Sequence, residues 1–128
     1  MRSLRGPRIV AVVAGGSLVG LGLWAMAGPR SFYDAIATFE PYNQHFLQDV
    51  GAFQIGLGAV LLLALRRPPL GGLAVALLGV GIGMAAHTLS HVLGIELGGK
   101  PATDIPLFGL LTVALLWAGW SASRAPTG

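Results

Sequence analysis

Three histidines and one aspartate are the residues of this chain whose types and spacing suit chemistry. His45 and Asp49 stand four apart, as do His87 and His91. Positions i and i+4 share one face of a helix, so each pair presents two donors in one direction. Neutral imidazoles and a carboxylate suit Zn²⁺ or Fe²⁺; the four together complete a tetrahedral shell, or leave one position open if Asp49 instead orients a liganding histidine. A b-type haem is a second option. His87 and His91 project from one helix face and cannot both be axial, whereas one histidine from each helix can, and Met84, one turn before His87, is a third axial candidate. Two other readings stand beside these. The residues form a structural or proton-handling polar cluster, for example Asp49 with His91, or they are unrelated groups near helix ends. His87 is the hardest to treat as merely wet, being eight residues, about 12 Å of helix, before Ile95. The H-x-x-x-D plus H-x-x-x-H pattern is far less specific than H-E-x-x-H.

The elements that position these groups are legible from composition. The chain has 128 residues, 54% hydrophobic and 10% charged, against about 25% charged in soluble domains. That displacement excludes disorder, and the absence of cysteine excludes thiolate metal sites, cysteine nucleophiles and a disulfide scaffold. Four apolar stretches, roughly 9–27, 46–65, 72–95 and 105–122, approach the ~20 residues a spanning helix needs. Barrel strands would be half as long and would alternate. The expectation is an all-α integral membrane protein, residues 1–128 forming a single four-transmembrane-helix bundle. Pro68-Pro69 makes a tight turn after the second span, so spans two and three are expected to pack as an antiparallel hairpin. Their outer ends then bring both histidine pairs to one depth.

Orientation follows from the basic residues. Arg2, Arg5, Arg8, Arg66, Arg67 and Arg124 flank one side, and only Arg30 and Lys100 the other. The positive-inside rule puts both termini in the cytoplasm of a plasma (inner) membrane. All five acidic residues, Asp34, Glu40, Asp49, Glu96 and Asp104, then lie outside. The net charge of +3 is thus a set of short helix flanks, and nucleic acid is a poor partner. The basic start, apolar run and Ala25-Met26-Ala27 also resemble a signal peptide; the run exceeds the usual ~7–15 residue h-region, so an uncleaved helix is expected.

Residues 28–43 form the longest connection. Ser31 with Asp34 reads as a capping-box-like start, and Phe32, Ile36 and Phe39 recur at helical spacing, which predicts a short interfacial helix covering the site. Asn43 can cap the second span, and Thr103 or Asp104 the fourth, with Pro106 in its first turn. Gln54 lies about 140° around the helix from Asp49 and is expected to bond another helix, outside the cluster. Gly16 with Gly20, and Gly79 with Gly83, have small-xxx-small spacing and are expected to pack helices together, within the monomer or in a homo-oligomer. No P-loop and no G-x-S-x-G elbow occurs. Ionisable residues are absent from the inner halves of the spans, which argues against ion conduction. A site open outward, or sideways into the outer leaflet, suits a lipid-soluble ligand.

Ser31-Phe32-Tyr33 through Pro41-Tyr42-Asn43-Gln44-His45-Phe46, with Asp49-Val50-Gly51 and His87-Thr88-Leu89-Ser90-His91, resembles small four-helix bacterial membrane proteins of the DoxX-like kind. That resemblance implies a four-helix layout and no particular activity, although some relatives are linked to quinone or thiol redox complexes. The lack of cysteine departs from any thiol role. Two functional expectations follow. One is a metal- or haem-binding redox or lipid-active subunit using His45, Asp49, His87 and His91. The other is a non-catalytic accessory or small-ligand-binding membrane subunit, with or without a membrane protein partner, in which the cluster is structural.

Overall fold

The computed structural model describes residues 3–66 and 71–125. It is helical, with no strand among the described residues: α1 (Arg5–Ala27), α2 (Pro29–Ala35), α3 (Gln44–Ala64), α4 (Gly71–Leu93) and α5 (Pro101–Ser123). Apart from α2, each is long and apolar enough to cross a membrane, since 21 to 23 residues rise about 32–35 Å against a hydrocarbon core of about 30 Å. Phe53, Val75 and Leu110 are at least 70% exposed, and burying such side chains in lipid is what a multi-pass membrane protein does. The Pro68-Pro69 turn and Arg67 lie outside the described residues.

Helix limits follow local chemistry. Asn43 caps α3, its side-chain oxygen accepting from the Phe46 N–H at 3.0 Å. α5 begins at Pro101 rather than near 105. Pro101 fills the first turn, where its missing N–H costs nothing, and Asp104 lies inside that turn, accepting from the Lys100 N–H at 2.8 Å. α2 likewise starts two residues before Ser31, at Pro29. Ser31 is no cap: its hydroxyl donates to the Gly28 carbonyl and accepts from Trp24 Nε1. The helix also ends at Ala35, so Phe39 lies in the irregular loop beyond it.

The tight pairs are α1 with α3 and α4 with α5; α3 and α4 touch over a smaller interface. This corrects the expected hairpin of spans two and three, and glycine explains it. A Cβ on Gly22 would sit 2.6 Å from the Gly51 carbonyl oxygen, and one on Gly51 would sit 2.7 Å from that of Gly22. Seven residues away on each helix, Gly15 and Gly58 repeat the reciprocal contact. Two antiparallel helices with backbone against backbone leave no room for any side chain there. On α4 and α5, Gly119 lies under Leu78, Gly81 lies under Leu116, and Thr88 and Thr112 share a 3.1 Å hydrogen bond. The glycines expected to pack do not: Gly16, Gly20, Gly79 and Gly83 have nothing within 4 Å of a Cβ position. One end of the bundle is filled by Leu61, Leu77 and Leu115, all fully buried. At the other end a smaller cluster, Ala25, Phe32, Tyr33 and Leu47, anchors α2 to α1 and α3.

Candidate functional site

The loop-bearing end holds a cavity of about 610 Å³, within the ~300–1,000 Å³ of small-molecule sites. Its walls come from four places. α4 supplies His87 and His91, one turn apart on one face, with rings 4.7 Å from centre to centre and edge-on. α5 supplies Phe108, whose ring meets theirs at 4.7 and 4.9 Å. α3 supplies Phe46, Val50 and Gln54, while Phe32 and Phe39 form the roof. Mostly apolar walls with a few convergent polar groups are the usual character of a ligand site.

The roof is fastened from two directions. Lys100 Nζ donates to the Ala35 carbonyl at 2.7 Å, tying the α4–α5 loop to the end of α2. Gly98 and Gly99 take φ of 119° and 81°, left-handed values that side chains rarely adopt, and they seat that loop against Thr38 and Phe39. Asp104 Oδ2 lies 3.9 Å from His91 Nδ1, beyond hydrogen-bond range, so its firm partner is the Lys100 N–H. Arg30 and Asp34 form an ion pair at 3.0 Å on the outer surface of α2. Hydrogen bonding to Glu40, with burial and the Glu40 charge, holds the Tyr33 phenol above its ordinary pKa.

The four expected ligands are not brought together. His91 and His87 line the cavity, but His45 is 87% exposed, pairs with Asp49 at 3.5 Å, and neither residue reaches the wall. The glycine seam with α1 sets the rotation of α3, and that rotation turns the 45/49 face outward. Among the described residues no three His, Cys, Asp or Glu side chains gather as a metal ion requires. Met84 is buried in the core and absent from the cavity wall. His45 lies at the surface, and His87 and His91 lie on one helix face.

Gln54 reverses its expected role. It lines the same cavity as the two histidines, and its Oε1 is buried with no hydrogen-bond partner. An orphaned buried acceptor costs about 1–3 kcal/mol. The angle between Gln54 and Asp49 is as the sequence requires; the inward face is the one carrying Gln54. Asp104 and Phe108 had no periodic signal linking them to the histidines, because only the α4–α5 pairing brings them close.

A multi-pass helical membrane protein with a loop-capped, mostly apolar cavity is the class these features define. No family model, curated protein or solved structure matches the chain.

Proposed function

We propose that the protein is a small-ligand-binding membrane protein, multi-pass in the plasma membrane with both termini cytoplasmic, whose outward half holds a lipid-soluble ligand with a hydrogen-bonding head. Gln54 carries this reading: it lines the cavity with His87 and His91, and its buried Oε1 has no hydrogen-bond partner. A buried acceptor without a partner is strained until a donor arrives, and two imidazoles offer further hydrogen bonds close by. Metal and haem chemistry is not carried forward, because the donors are dispersed. In this role the histidines recognise and orient; no bond is broken. The resemblance to DoxX-like proteins fits an accessory subunit, and the absence of cysteine sets thiol exchange aside. The basic residues, six against two, support the orientation.

Nitrogen NMR of ¹⁵N-histidine protein in detergent tests the site. Adding a bacterial lipid extract to delipidated protein should shift the ring signals of His87 and His91 and leave His45 unmoved. Equal shifts at all three, or none, would refute the cavity as the binding place.

A further inference from the structure

We propose that the ligand is a single-chain amphiphile, with its hydrogen-bond-donating head in the capped cavity and its apolar chain lying in the seam between α3 and α4. The proposal rests on the ligand-binding reading above and adds the chemical class and the route of the chain.

The seam is open beyond the cavity. Further along it, Val60, Leu63 and Ala64 of α3 face Gly72, Val75 and Ala76 of α4 across a second, shallow groove of about 470 Å³. Between the two hollows, Gly79 and Gly83 fall on the helix line that joins Ala76 to His87. A Cβ at either glycine would meet nothing within 4 Å. Glycine therefore clears a path along α4 from the polar cavity to the apolar groove. Its length from Ala76 to His87 is eleven residues, about 16 Å, roughly half the hydrocarbon core. A single alkyl chain matches a path of that length.

The head follows from the wall. Glu40 and Asp104 line the cavity, and among the described residues no Lys or Arg does. An anionic head would meet two carboxylates with no compensating cation. The unfilled group is an acceptor, Gln54 Oε1, which calls for a donor: the hydroxyl of a long-chain alcohol or the ammonium of a long-chain amine. Either source supplies the same N–H or O–H chemistry.

The experiment uses full-length protein in lipid nanodiscs and three photoreactive probes: hexadecanol with a diazirine at the chain end, its amine counterpart, and octanol with a diazirine near the head. The chain-end probes should label residues 60–64 and 72–76 saturably. Unlabelled hexadecanol should compete and palmitate should not. Stronger saturable labelling by the alcohol or by the amine identifies the donor. Gly79→Leu and Gly83→Leu face open space, so the fold survives, which circular dichroism checks; each should cut chain-end labelling about tenfold and leave octanol labelling within twofold. Gln54→Leu should remove both. Octanol labelling the cavity while chain-end probes miss the seam overturns this inference alone. Failure of octanol itself overturns the ligand-binding reading. Unsaturable labelling spread equally onto Phe53 and Leu110, or a seam that cross-links to a second copy of the chain, refutes the groove as a chain site.

Discussion

Helix α3 has two seams, and they differ in what glycine does there. Toward α1, Gly51 and Gly58 meet Gly22 and Gly15 backbone to backbone, and the seam is closed along its length. Toward α4, Gln54 and Val60 line hollows, and on α4 a Cβ at Gly79 or Gly83 would meet nothing within 4 Å. The same residue type seals one seam and holds the other open. What decides is reciprocity: a glycine facing another glycine's carbonyl allows close packing, while a glycine opposite a gap leaves space. Stability is thus concentrated in the α1–α3 and α4–α5 pairs, and vacancy in the seam between them.

Breaking the closed seam should have the largest effect. Gly58→Leu drives a side chain into the Gly15 carbonyl, which a Cβ alone would approach to 2.6 Å. Backbone has no rotamer with which to yield, so a loss of about 3 kcal/mol or more, or failure to assemble, is expected in thermal unfolding. Gly79→Leu, on the open seam, should leave the midpoint nearly unchanged. Equal loss from both would erase the contrast between the seams.

Next comes the filled end of the bundle. Leu77 is fully buried among α1, α4 and α5 core residues, and Leu77→Ala should cost about 2–5 kcal/mol. Phe46→Ala, on the cavity wall and 63% exposed, should cost far less. Chemical denaturation of the two variants in one detergent checks the order.

A smaller effect of opposite sign is expected at Gln54. Gln54→Leu removes an acceptor that has no partner, so the ligand-free protein should gain roughly 1 kcal/mol. A loss of stability in ligand-free protein would mean that Gln54 is already satisfied. Smallest is Thr88→Val, which gives up the local hydrogen bond to the Met84 carbonyl and the interhelical one with Thr112, the latter worth about 0.6 kcal/mol between helices in a membrane.

The spans were readable because lipid imposes one rule on all of them: about 20 apolar residues with every backbone group bonded internally. Asn43 as a cap and the short helix after Gly28 were also readable, since both depend on neighbours within a few residues. Pairing was not. Gly16/Gly20 and Gly15/Gly22 are similar in sequence, and only the rotation of α1 against α3 selects the second set. That rotation also exposes His45 and Asp49 and turns Gln54 inward, so half the expected site moved to the surface for a reason no spacing within α3 contains. His87 and His91 kept their place because they share one face of one helix. Asp104, some thirteen residues on from His91, joined them through a loop held by Gly98, Gly99 and Lys100.

The central claim is that the space around Gln54, His87 and His91 is occupied by a lipid-soluble molecule in the working protein. Native mass spectrometry of wild-type and Gln54→Leu protein, released side by side from the same detergent, tests it most directly. The account predicts one stoichiometric adduct of lipid mass on the wild type that is missing from Gln54→Leu. Bare wild-type protein, or the same adduct on both, would contradict it.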